Sequence, residues 1–115
     1  SGETFSDMLF RLIGERGLTG PEVYNKANMD RKLFSAIQCK KDYQPKKRTA
    51  LALAVALELD MRTTSELLAK AGYALSPSDK TDIVISYFIE QGDYNMYDIN
   101  AALSDRGLPL LINEK

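Results

Sequence analysis

The chain has 115 residues, of which 44% are hydrophobic and 27% charged, with 15 Lys and Arg against 16 Asp and Glu. This length suits a single domain, which can bury about two thirds of its unfolded surface without a disulfide or a structural metal. There is one cysteine, Cys39, and no histidine, so zinc sites, haem ligation and Ser-His-Asp or Cys-His catalysis are excluded. We therefore expect no enzymatic activity, no cofactor and no metal.

The chain has no apolar run near the roughly 18 residues that span a bilayer, and no secretory signal opens it. A single unpaired cysteine is typical of a reducing compartment, so we expect a soluble cytoplasmic protein without a membrane segment. The residues Ser1 and Gly2 resemble the remnant of a protease site, and no Met precedes them. We expect the natural protein to be longer.

The first three predicted elements are helices. An apolar stripe at helical spacing predicts a first helix that begins at Thr4 or Ser6 and ends at Gly17. Thr19 and Glu22 form a capping-box pattern that starts a short second helix. Asn28 suits the left-handed conformation of a tight turn. Asp30 caps a third helix, about 30–38, whose inward residues are Leu33, Phe34 and Ile37.

Two further helices follow a polar loop at 39–47. The fourth is predicted over 46–59, with a face rich in alanine that lets neighbours pack closely. The fifth is predicted over 65–71, opened by Thr63 or Thr64 and stopped by Gly72.

The last predicted elements are two more helices. A start signal at 76–79 predicts a sixth helix that ends at Gly92; the β-branched run at 83–85 also fits a strand, but the capped start favours a helix. Asn95 caps a seventh helix, which extends to about Asp105. The inward residues of the sixth helix are predicted to be Ile83, Val84, Tyr87 and Phe88, those of the seventh Met96, Ile99, Ala102 and Leu103. Leu108, Leu110, Leu111 and Ile112 are predicted to fold back onto the bundle.

The charges are distributed unevenly along the chain. The net charge is −2 over residues 1–25, +6 over 26–48 and −5 over 49–115, which together give the total of −1. A charge run is most often only a solvated surface. A localised basic face is, however, also what a phosphate backbone attracts.

Several segments resemble the lambda-repressor-like (Cro/XRE-type) helix-turn-helix family over about residues 5–70. The similarity lies in RLIGERGLT at 11–19, PEVYNKANMD at 21–30, RKLFSAIQ at 31–38, TALALAVALEL at 49–59 and TSELL at 64–68. It implies an all-α single domain, in which a five-helix bundle at 3–72 carries two extra helices at 73–115.

The same resemblance implies duplex DNA binding by a bacterial or phage-type transcription regulator, with the helix at about 30–38 in the major groove. The residues expected to contact base edges are Arg31, Lys32, Ser35 and Gln38, and those expected to contact phosphates are Lys40, Lys41, Lys46 and Lys47.

The sequence departs from the family at the start of the second helix, where a DNA-contacting Gln usually follows Thr and this chain has Gly20. This departure and the acidic remainder favour an alternative, a non-catalytic protein-interaction or regulatory module on the same scaffold, appended to a larger multidomain protein.

The aromatic side chains of the extension have two interpretations. They are predicted to form its core, packed against the first helix; if exposed, they indicate a homodimer or protein partner instead. They are Tyr73, Tyr87, Phe88, Tyr94 and Tyr97. The remaining carboxylates, Asp82 among them, are assigned to helix termini and solvent faces. Cys39, beside two lysines, is expected to be inert.

Overall fold

The computed structural model describes residues 2–111, which contain seven α-helices and no strand. The helices are α1 (Phe5–Glu15), α2 (Gly20–Lys26), α3 (Arg31–Cys39), α4 (Lys47–Ala56), α5 (Met61–Lys70), α6 (Lys80–Glu90) and α7 (Met96–Asp105). The Cα radius of gyration is 13.2 Å, which matches the value of about 13 Å expected for one compact domain of this length. The prediction of an all-α single globule is therefore confirmed.

The predicted start signals form helix caps. The Thr4 hydroxyl, one of the two expected caps, accepts from the N–H of Asp7, and Thr19 and Glu22 form a reciprocal capping box. Asp30 caps α3 through the N–H of Lys32. Asn28 has a φ of 60°, the left-handed conformation expected of it.

The predicted boundaries of α4 and α5 were wrong. α4 ends at Ala56 rather than at 59, because Glu58 adopts a φ of 54° and the N–H of Leu59 bonds back to the carbonyl of Ala54. α5 begins at Met61 rather than at 65, because Asp60 caps it by accepting from the N–H of Thr63. At the end of α4 a non-glycine residue makes the turn, and at the start of α5 Asp60 makes the cap in place of the expected Thr63 or Thr64.

α4 lies at the centre of the bundle. Every residue from Thr49 to Ala56 is buried, and α4 packs between α2 and α5. α1 packs on both α3 and α5, so the first five helices share one core. The alanine side chains of α4 allow this close enclosure because they occupy little space.

α6 and α7 complete the same core. α6 packs on α5, whereas α1 was the expected neighbour, and α7 packs on α6. The inward face of α6 consists of Asp82, Val84, Ile85 and Ile89. The expected inward residues Ile83 and Tyr87 are instead 50% and 59% exposed. This prediction was wrong because apolar residues occur around most of the helix, which leaves its periodicity ambiguous.

The segment after α7 folds back onto the bundle. Leu111 is 1% exposed, and its N–H donates to the side-chain oxygen of Asn100 on α7 over 3.0 Å. Leu108 is partly buried against the core. Ile112, which was expected to join them, lies outside the described residues, as does the rest of the range to 115.

Candidate nucleic-acid interface

α3 presents one polar stripe to solvent. Arg31, Lys32, Ser35 and Gln38, all expected to contact bases, are exposed. They occur at helical spacing opposite Phe34 and Ile37, which are buried. The structure therefore places the four residues on one outward face of one helix.

Phe34 anchors α3 to the two preceding helices. Its ring centroid lies 5.3 Å from that of Phe10 on α1 and 5.4 Å from that of Tyr24 on α2. The hydroxyl of Ser6 donates to the carbonyl of Ile37 over 2.7 Å, which fixes the last turn of α3 against α1. These contacts hold α3, and with it the exposed stripe, in a fixed position relative to α1 and α2.

Gly20, at the position where the helix-turn-helix resemblance leads us to expect Gln, packs against the same ring. A Cβ atom at Gly20 would lie 3.3 Å from Cε2 of Phe34. A side chain at this position requires the Phe34 ring to shift by a few tenths of an ångström. The close approach of α2 to α3 thus gives a packing reason for the glycine.

The loop after α3 carries three exposed lysines, Lys40, Lys41 and Lys46. The backbone N–H of Thr4 lowers the pKa of Asp7 in the first turn of α1, and the positive charge of Lys41 lowers it further. The other end of the loop is held in place, because Pro45 is buried and its carbonyl accepts from the hydroxyl of Tyr73 over 2.7 Å.

Lys47, also expected to contact phosphate, has an intramolecular partner. Its ammonium lies 2.6 Å from Oδ2 of Asp82 on α6, and the same oxygen accepts from the N–H of Ser76 over 2.8 Å. Asp82 lies in the first turn of α6, a helix terminus as expected, but it is 1% exposed and therefore does not lie on a solvent face. The signal that was missed is its spacing, since Asp82 lies three residues before Ile85 on the inward face of α6.

Two more members of the basic segment at 26–48 are engaged within the chain. Lys26 lies 3.3 Å from Glu58. A guanidinium nitrogen of Arg48 donates to the carbonyl of Leu110 over 2.9 Å. Within residues 2–111, the charged groups of the remaining five make neither a salt bridge nor a hydrogen bond. These five, called here the α3 cations, are Arg31, Lys32, Lys40, Lys41 and Lys46.

The aromatic residues of the extension do not form a single cluster. Among these five residues in the described range, ring contact is recorded for Tyr87 and Phe88 alone, with centroids 5.8 Å apart. The Tyr73 and Tyr94 hydroxyls donate to the carbonyls of Pro45 and Leu59. Tyr97 is 82% exposed and Tyr87 is 59% exposed. The expectation that all five aromatic residues form the core was therefore wrong.

Residues 2–111 carry no sign of a metal site or of a membrane-spanning helix. No group of three acidic or cysteine side chains there could hold a metal ion, and no helix is long and apolar enough to cross a bilayer. Cys39 is exposed at the end of α3. No protein-family model, curated protein or solved structure matches the chain.

Proposed function

We propose that this chain binds duplex DNA as the helix-turn-helix domain of a bacterial or phage-type regulator, and that it has no catalytic role. In this proposal α2 crosses the phosphate backbone and α3 enters the major groove. The observation that carries it is the exposed stripe of α3, followed by three exposed loop lysines that have no ion pair among residues 2–111. The five α3 cations are all exposed and lie within sixteen residues of a protein whose net charge is −1.

The residues of the stripe match the chemistry of base edges. Arg31 and Lys32 suit the acceptor pair of guanine, and Gln38 suits adenine. Lys40, Lys41 and Lys46 are proposed to contact phosphates and to set orientation rather than sequence. Lys47 is withdrawn from this set, because Asp82 already neutralises its ammonium.

The test is a titration with random duplex DNA at several salt concentrations. Each cation that contacts a phosphate releases condensed counterions, so the three loop lysines predict a slope of roughly −3 for log K against log salt. The absence of binding even at low salt would reject the proposal.

A matched pair of variants separates the surface from bulk charge. Lys40→Glu with Lys41→Glu is expected to abolish binding, whereas Arg62→Glu with Lys70→Glu makes the same change in net charge on α5 and is expected to preserve most of it. Equal losses of binding in the two variants would mean that DNA binding depends on the net charge of the protein and not on the lysines after α3.

A third variant addresses sequence readout. Arg31→Ala is expected to relax preference at one base pair, whereas Lys40→Ala should weaken binding to all sequences alike. Unchanged preference after Arg31→Ala would remove this residue from the base contacts.

A second candidate function is a non-catalytic protein-interaction or regulatory module on this scaffold. The observation that favours it is at the start of α2, where Gly20 packs on Phe34 and offers no side chain to DNA. Glu22 in the same turn has a lowered pKa, chiefly because the backbone N–H of Thr19 donates to its carboxylate over 2.8 Å. A negative charge there opposes a phosphate backbone. Failure of the DNA titration would leave this candidate in place.

A further inference from the structure

α6 carries an apolar ridge that nothing in the described chain covers. Ile83 and Tyr87, one helical turn apart, are 50% and 59% exposed. A groove flanks the ridge on each side. The apolar residues of one are Met61, Leu75 and Pro77, beside two serines; those of the other are Val84, Phe88 and Ala102, beside Arg106. A ridge between two apolar grooves has the shape of a surface that interdigitates with another helix.

A charged residue lies at each end of this ridge. Lys80 lines a groove together with Ile83, and Glu90 lines the opposite groove together with Ile83 and Tyr87. The four positions 80, 83, 87 and 90 are spaced by three, four and three residues, which places them on one stripe of the helix. We call these four residues the α6 stripe.

The charges of the α6 stripe oppose the dipole of their own helix. Lys80 is the first residue of α6, where the helix end is positive, and Glu90 is the last, where it is negative. Neither residue has a salt bridge among residues 2–111. Each would be more favourable beside the opposite end of an α6 helix.

An antiparallel second copy of α6 supplies this arrangement. A twofold axis at position 85 brings Ile83 opposite Tyr87 of the partner, and the same axis brings Lys80 opposite the partner's Glu90. The carboxylate of the partner's Glu90 then lies at the positive end of α6, and the ammonium of the partner's Lys80 lies at the negative end. A single twofold rotation thus pairs the apolar residues, pairs the opposite charges and places each charge at a helix end of opposite sign.

We propose that the chain forms a homodimer through antiparallel packing of α6 against α6 of a second copy, centred on Ile83 and Tyr87. The occupant is a second copy because the α6 stripe is complementary to itself in both charge and position. The proposal is independent of DNA binding, since none of the α3 cations lies on α6.

The first experiment is sedimentation equilibrium of the 115-residue chain at low salt, over a concentration series that reaches about 1 mM. We expect a concentration-dependent dimer that Ile83→Asp abolishes. Tyr97→Asp is the matched control, because Tyr97 is 82% exposed on α7 and lies outside the stripe. A chain that stays monomeric throughout, or a dimer that survives Ile83→Asp, would overturn the proposal.

Charge reversal tests the antiparallel geometry itself. Lys80→Glu and Glu90→Lys, made singly, each place like charges opposite one another twice per dimer and are expected to weaken it by about tenfold. The double variant restores both ionic pairs and should restore the dimer. An equimolar mixture of the two single variants should form a heterodimer for the same reason.

The charge variants also control for misfolding. Each reversal improves the match between α6 and its own dipole, so helix content by circular dichroism is expected to be unchanged. Loss of the dimer in the single variants without rescue in the double variant would rule out the antiparallel arrangement.

Discussion

The ammonium of Lys47 lies 2.6 Å from the carboxylate of Asp82, and this contact joins the first turn of α4 to the first turn of α6. The Asp82 side chain is 2% exposed and that of Lys47 is 27% exposed, so water screens the pair only partly. The N–H of Ser76 donates to the same carboxylate. The pair therefore fixes α6 on the bundle and also removes one lysine from the cationic surface beside α3.

Removal of the Lys47 cation should destabilise the fold. Lys47→Met leaves a buried carboxylate with the Ser76 N–H but without its counter-charge, which we expect to cost about 3 kcal/mol in the free energy of unfolding. Urea denaturation measures this cost. Lys46→Met, at the exposed neighbouring residue, should change stability by less than about 0.5 kcal/mol. Equal effects of the two variants would mean that the ion pair contributes nothing to stability.

The inward face of α6 can be tested with two isoleucines. Ile85 is fully buried, so Ile85→Ala should lower the free energy of unfolding by about 2–4 kcal/mol through lost transfer energy and a cavity. Ile83→Ala, at a half-exposed position, should cost under about 1 kcal/mol. Thermal unfolding at low protein concentration separates both values from any effect of self-association. The reverse order would contradict the observed rotation of α6.

The hydroxyl of Tyr94 is expected to contribute to stability through one hydrogen bond. It donates to the carbonyl of Leu59 over 2.8 Å, so Tyr94→Phe should cost about 1 kcal/mol. Tyr87→Phe removes a hydroxyl from an exposed ring that makes no recorded hydrogen bond among residues 2–111, and it should be nearly neutral. Chemical denaturation of the two variants in parallel measures the difference. A neutral Tyr94→Phe would show that water replaces this bond without loss.

Acid should destabilise the protein through its helix N-termini. Backbone N–H groups of Thr4, Thr19 and Thr63 lower the pKa values of Asp7, Glu22 and Asp60 respectively. A carboxyl group with a depressed pKa in the folded state binds protons more readily when unfolded. The stability that such a carboxylate gives the folded state is therefore fully present above its pKa in the unfolded chain. This stability is lost as the pH falls through its lower pKa in the folded state. We expect the melting temperature to fall below about pH 4, the ordinary range for these groups.

A variant of one capping box isolates this pH effect. Glu22→Gln keeps an acceptor for the Thr19 N–H but cannot titrate, so its melting temperature should depend less steeply on acidic pH than that of the parent chain. Identical profiles would mean that Glu22 does not contribute to acid sensitivity.

The sequence predicted features that depend on a few adjacent residues. The caps formed by Thr19, Asp30, Asp79 and Asn95 could be identified because the donor and acceptor are at most three residues apart. The exposed stripe of α3 could be predicted for the same reason, since Phe34 and Ile37 define its opposite face.

Features that depend on distant partners could not be predicted. Asp82 is buried because Lys47, thirty-five residues earlier, neutralises it. The rotation of α6 depends on which of its apolar sides meets α5, and helical spacing alone does not determine that choice. The intramolecular partners of Lys26 and Arg48 likewise arise only once the chain has folded.

Two tyrosines of the extension hold α4 at both ends. Tyr73 bonds to the carbonyl of Pro45, just before α4, and Tyr94 bonds to the carbonyl of Leu59, just after it. Since the residues between are buried along almost the whole helix, α4 has no free end from which to fray. Its amide hydrogens should therefore be among the last in the protein to exchange with deuterium, and they should do so only when the whole molecule opens.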